Sequence, residues 1–233
     1  YATEYLSSVG KGTIKNRSYK KWPFKEGSAV KLFVLAGHRN MEGEISFTDD
    51  LRKTKYSSLR KDNLKVPYSY SLGGGFHVSD GLEPLGPTGS YETFGPELSF
   101  AYQVKKKQRT NMVIAKFTHS GSQIIDWTPN GSNAKSRNLY APFISFIQKN
   151  ISDLEAMGHQ VELAGIFYHL GENDMSFASY KNEAVSRMKE FVNRSRQDLE
   201  MSELKWFVSH LPSIVFDGAA KVDITGQLKD WSQ

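Results

Sequence analysis

Val30-Lys31-Leu32-Phe33-Val34-Leu35-Ala36 runs without a break into Gly37-His38-Arg39-Asn40-Met41-Glu42-Gly43. The first stretch keeps its apolar residues in succession, as a strand buried on both faces of a sheet does. The second is a polar turn between two glycines. A doubly buried strand that empties into a polar turn is how an open α/β sheet presents the carboxyl edge where ligands bind.

Working outward from that strand, the same alternation recurs. Phe94-Gly95-Pro96-Glu97 opens a helix, with Pro and Glu in the first turn as helix starts prefer, and the helix runs to about Lys106. Strands are expected at Met112 to Phe117, Val161 to His169 and Leu204 to Ser209. Helices are expected from about Ala141 to Met157, stopped by Gly158, and from Ala178 to about Leu199. Strand and helix in alternation predict a parallel sheet covered on both faces, a three-layer α/β/α domain. Residues 1–29 are read as an N-terminal extension packed on the domain, with an aromatic pair at Trp22 and Phe24, and residues 30–233 as the domain itself. Residues 44–93, which contain Gly73-Gly74-Gly75 and several Gly/Pro turns, are expected to be loops crossing one face of the sheet. Loops of that length are uncommon away from functional sites.

Composition narrows the classes. The 233 residues are 39% apolar and 24% charged, enough to build a core and too apolar for a disordered chain. The net charge of +5 is mild. The densest basic run, Lys105, Lys106, Lys107 and Arg109, falls at a helix end where cations complement the dipole, so no nucleic acid is expected as a partner. Without cysteine there is no disulfide, thiolate metal site or cysteine nucleophile. No apolar run reaches the ~20 residues of a membrane span. The chain starts at Tyr1, which is expected of a processed or trimmed start. Asn-x-Ser sequons occur at Asn16, Asn130, Asn150 and Asn193.

The strand-end turns 37–43, 118–127 and 169–174 and the segment from His210 onward are expected at the carboxyl edge, and four stretches of the chain carry a recognisable pattern: LAGHRNMEG at 35–43, FGPELSFA at 94–101, KFTHSGSQIIDWTP at 116–129 and FYHLGENDMSF at 167–177. In order and spacing they resemble the SGNH (GDSL-like) carbohydrate esterases of the sialate O-acetylesterase type. That family has a strand followed by GQSNMxG, a GPE helix opening, K-x-x-x-GGS-x-I-x-x-W, W-x-Q-G-E-x-D and a final D-x-x-H. The resemblance spans roughly residues 30 to 210 and implies the flavodoxin-like SGNH fold. It also implies a secreted, periplasmic or cell-surface setting, no cofactor and no resident metal. The chemistry implied is acyl transfer from an O-acetylated sugar: a serine attacks, a histidine acts as base, and an aspartate orients it.

The departures fall on that machinery. Arg39 stands at the serine position, and a guanidinium stays protonated and is no nucleophile. His38 replaces the preceding glutamine, and Leu170 replaces the glutamine of W-x-Q-G-E-x-D. No Asp-x-x-His occurs beyond residue 210, as expected of an impaired enzyme or of a chain truncated at its C-terminus. What survives is Gly121 and Asn173 as oxyanion or pocket residues beside Arg39. His38, Asn40, Ser122, Trp127, His169, Glu172 and Asp174 are substrate-binding candidates. Arg39 is expected either to pair with Glu172 or Asp174 or to stay exposed and hold an anion. Trp127 is either a packing residue or a sugar platform. A relocated Ser122–histidine pair, or zinc on His38, His119 and His169, lacks a spacing pattern to support it. The function implied is thus an impaired carbohydrate O-acetylesterase keeping a carbohydrate or anion pocket. The alternatives are an active serine esterase or a structural module of a larger secreted protein.

Overall fold

In a computed structural model, residues 17–89, 92–134, 137–171 and 173–209 are described. The chain forms β1 (Ala29–Gly37), β2 (Asn63–Leu72), β3 (His77–Val78), β4 (Glu83–Leu85), β5 (Met112–Thr118), β6 (Gln160–His169) and β7 (Trp206–Val208). The long helices are α1 (Glu97–Lys107), α2 (Tyr140–Ala156) and α3 (Ala178–Asp198). One sheet holds the strands in the order β3-β2-β5-β1-β6-β7, with β4 paired to β2. β2, β5, β1, β6 and β7 run parallel, and β3 and β4 run antiparallel to β2.

The apolar succession in β1 follows from its central place. Leu32, Val34 and Ala36 enter one core with Phe143 and Ile147 of α2 and Met188 and Phe191 of α3. Phe33 and Leu35 enter the other, with Leu98 and Ala101 of α1. Alternate side chains of a strand point to opposite faces, so a strand covered on both sides must be apolar at every step. Residues 17–28 pack against this body: Trp22 donates its indole N–H to His159 Nε2 at 2.8 Å, and Arg17 pairs with Asp62 at 3.1 Å.

The loop expectation for 44–93 fails over its second half. β2 is an interior strand, in parallel register with β5 from Tyr68↔Ile114 to Ser71↔Phe117. Its period of two was present in the sequence. Val66, Tyr68, Tyr70 and Leu72 face the α1 core, and Ser69 turns to the other side, where its hydroxyl bonds Asn150 of α2. Pro67 disguised it, since proline is scarce inside sheets. Here Pro67 precedes the parallel ladder to β5, which begins one residue later. Asn150, one of the sequon asparagines, is 4% exposed and so has no surface to offer a glycan in the folded chain.

Candidate functional site

The elbow after β1 is a single helical turn, Arg39–Glu42, closed by Gly43 in the left-handed region at φ 90°. A Cβ on Gly43 would sit 1.9 Å from the carbonyl oxygen of Phe94, so backbone must approach backbone here and only glycine allows it. The β5 and β6 ends flank the elbow. Gly37 aligns with Thr118 on one side and His169 on the other. His119 N–H donates to Gly37 O at 3.0 Å, and His38 N–H to His169 O at 3.2 Å. The three segments expected at the carboxyl edge therefore meet there.

A buried ion pair lies beneath the elbow. Lys116 in β5 and Glu97 at the start of α1 are both fully buried, with Nζ 2.8 Å from Oε2. Lys116 also donates to Glu42 O at 3.0 Å, while Glu97 Oε1 accepts from Gly95 N–H at 2.9 Å. The Glu42 carboxylate accepts from the Thr118 hydroxyl at 2.8 Å and from Gly73 N–H at 3.3 Å. Elbow, β5, the opening of α1 and the end of β2 are thus tied by one polar network. A reading by motif took Lys116 and Glu97 only as letters of the resemblance. The signal available was a lysine inside an otherwise apolar strand, which burial forces to find an acidic partner.

Arg39 is exposed. It does not pair with Asp174, whose two carboxylate oxygens accept from Ile124 N–H at 3.1 and 3.2 Å. Glu172 lies outside the described residues, as does the segment from His210 onward. Asn40, also exposed, places its amide nitrogen 3.3 Å from His169 Nε2. The His38 ring is buried below them, 6.1 Å from that of His169 between centroids. Asn40 and His169 face an open cleft of about 440 Å³, which Pro96, Phe100, Phe167 and Phe207 also line.

The remaining candidates are engaged in contacts within the fold. Ser122 is fully buried; its hydroxyl donates to His119 O at 2.8 Å and accepts from the Trp127 indole at 3.1 Å. Its proton is committed to a backbone carbonyl, and its oxygen is closed off from the surface. Asn173 spends an amide hydrogen on Ser122 O at 3.0 Å, binding the second motif to the third. The Gly121 carbonyl is held by Arg137 at 3.2 Å, a contact that motif reading missed. Trp127 is fully buried among Phe117, Phe143, Tyr168 and Phe191, with ring centroids 5.4–5.9 Å away. It has no face for a sugar, and the packing alternative holds. Leu170 is likewise a core residue, 5% exposed. Among the described residues no three His, Cys, Asp or Glu side chains gather to hold a metal.

Burial pushes the Asp174 carboxyl up to about 7, with Asp126 adding to the shift and the Ile124 N–H and Arg187 opposing it. Between its ordinary 3.8 and about 7, the folded chain keeps a proton that the unfolded chain has released. Raising pH through that window therefore destabilises the fold, and above it the cost is complete. We expect Asp174→Asn, which can still accept from Ile124, to flatten this dependence. The native chain should lose of order 2 kcal/mol relative to the variant between pH 5 and 8, read by urea unfolding at each pH. Parallel pH profiles for the two would exclude Asp174 as the source.

A central parallel sheet between helical layers, with an elbow after β1 and polar turns after β5 and β6 at one edge, defines the chain as an SGNH-hydrolase-type α/β protein. Residues 29–230 match the family described as carbohydrate esterase, sialic acid-specific acetylesterase, and the chain belongs to that family. No curated protein sequence matches it. Among solved structures, a protein from Arabidopsis thaliana is 17% identical with a TM-score of 0.58, over 78% of this chain and 74% of that one. NanS is also 17% identical, with a TM-score of 0.56 over 79% and 68%. A carbohydrate acetylesterase from Xanthomonas citri is 16% identical, with a TM-score of 0.59 over 86% of this chain and 47% of that one, so the aligned region spans about half of that protein. At such identities these likenesses show the fold. Among the described residues no helix is long and apolar enough to cross a membrane.

Proposed function

We propose that this chain binds carbohydrate at the family's site without hydrolysing its esters. The observation that carries the reading is Arg39, an exposed guanidinium on the elbow where the family resemblance puts the nucleophile. Ser122, the serine of the neighbouring motif, is locked by two hydrogen bonds and cannot stand in. Leu170, buried in the core, replaces a hydrogen-bonding glutamine. A planar guanidinium suits a carboxylate bidentately, which makes an acidic sugar the ligand class of choice. An extracytoplasmic setting accompanies this reading.

The test is twofold. Purified protein should not hydrolyse p-nitrophenyl acetate or an O-acetylated N-acetylneuraminic acid above background. It should bind N-acetylneuraminic acid in an NMR titration, and Arg39→Ala should weaken that binding at least ~10-fold, since charge-assisted bidentate bonds are among the stronger polar contacts. Turnover of ~1–10³ per second, abolished by a serine-directed phosphonate, would instead identify an active esterase.

A further inference from the structure

Phe76 is 91% exposed, more than any other large apolar side chain among the described residues. Loose packing of its hairpin does not explain this, because Tyr70 and Leu72, just before the turn, are 4% and 2% exposed. The turn itself is tightly specified. Gly73, Gly74 and Gly75 have φ of 61°, 66° and 100°, three successive left-handed residues that side chains rarely tolerate. They return the chain to β3 with Leu72 opposite His77.

The hairpin tip is also anchored to the elbow. Gly73 N–H donates to the Glu42 carboxylate at 3.3 Å, and Gly74 N–H to Thr118 O at 2.9 Å. Gly74 lies so close to His119 that a Cβ there would be 2.4 Å from the ring. His119 Nδ1 donates to Ser120 O at 2.7 Å. His119 N–H in turn bonds Gly37, the last residue before the elbow turn. The hairpin tip that carries Phe76 is therefore fastened beside the elbow by backbone bonds to Glu42 and Thr118.

Single exposed apolar residues are common, but Phe76 sits on a tightly specified turn bound to the elbow, where a ligand at the site can meet it. A pyranose has a face of C–H groups and a rim of hydroxyls. A rigid aromatic face covers the first, and imidazole nitrogens such as His119 Nε2 bond the second. We infer that Phe76 is a stacking platform for the sugar ring of the ligand, in a subsite adjoining the elbow. This inference rests on the carbohydrate-binding reading above and adds the element that recognises the ring rather than the acid.

The experiment is an NMR titration of native, Phe76→Ala, Phe76→Trp and Arg39→Ala proteins with N-acetylneuraminic acid. Far-ultraviolet circular dichroism establishes that each variant is folded. Phe76→Ala should bind about 10-fold more weakly, and Phe76→Trp within about threefold of native, since base–aromatic and ring–aromatic contacts are of that order and tolerate a change of ring. Native-like affinity in Phe76→Ala overturns the platform and leaves the Arg39 reading in place. Weakened binding in Phe76→Ala with unchanged binding in Arg39→Ala upholds the platform and overturns the Arg39 reading. No binding to the native protein overturns both.

Discussion

Lys116→Met is expected to lower the free energy of unfolding by about 3–5 kcal/mol, because it strands a carboxylate in the core. Glu97 is fully buried and its Oε2 has Lys116 Nζ at 2.8 Å. Without that cation, the Gly95 N–H on Oε1 is the hydrogen bond left to it. The carboxyl must then either protonate or draw in water, and both carry a cost. The intact pair need not stabilise the fold by a similar amount, since desolvation opposes its Coulomb attraction. A double variant, Lys116→Met with Glu97→Leu, should therefore recover much of the loss. The Lys116 bond to Glu42 O remains missing in the double variant, so the elbow should stay less protected from hydrogen exchange than in the native chain. Urea unfolding at pH 7 reads the first effect and amide exchange of residues 39–43 the second. A single variant within about 1 kcal/mol of native, the range of ordinary surface changes, would mean that the pair is hydrated rather than buried.

Arg39→Ser is expected to leave the protein without esterase activity, several orders of magnitude below an ordinary enzyme's ~1–10³ turnovers per second. The substitution supplies an oxygen at the elbow but not the rest of the apparatus. Leu170 stays in the core where the resemblance implies a hydrogen-bonding glutamine. Residues 211–233 contain no Asp-x-x-His that could supply a base. His169, the imidazole within the 167–177 motif, already has Asn40 at 3.3 Å. Triad members act as a unit, so restoring one does little while another is missing. Steady-state hydrolysis of p-nitrophenyl acetate by the variant measures this directly. Robust, phosphonate-sensitive turnover would show that a working base is present and that the site has been misassigned.

The layered fold was legible because its strongest signals are local. The both-sided burial of β1, β5 and β6 writes itself as apolar runs, and the amphipathic period marks α2 and α3. The strand β2 carried an equally clear alternation from Val66 to Leu72. Pro67 made it look like a loop, and only the start of its ladder with β5 at Tyr68 shows why the proline is harmless. The positions of Arg39, Gly121 and Asn173 at one edge also followed from the motif order, because each motif ends a strand or opens a turn. Side-chain destinations did not follow. Trp127 and Ser122 sit in a motif next to a site yet point into the core, and Lys116 lies within an apolar strand yet holds up the elbow.

The physical reason lies in range. Periodicity, glycine turns and the residues of the turn after β1 are properties of neighbours along the chain. From them the sequence by itself determined an α/β sheet with polar turns at its carboxyl edge and an arginine on the turn after β1. Burial and hydrogen-bond partners depend on residues far apart in sequence: Lys116 with Glu42, 74 positions away, and Asn173 with Ser122, 51 away. Only the tertiary structure decided that Trp127 is core, that Arg39 is exposed and apart from Asp174, and that the glycine hairpin is fastened to the elbow with Phe76 held out into solvent.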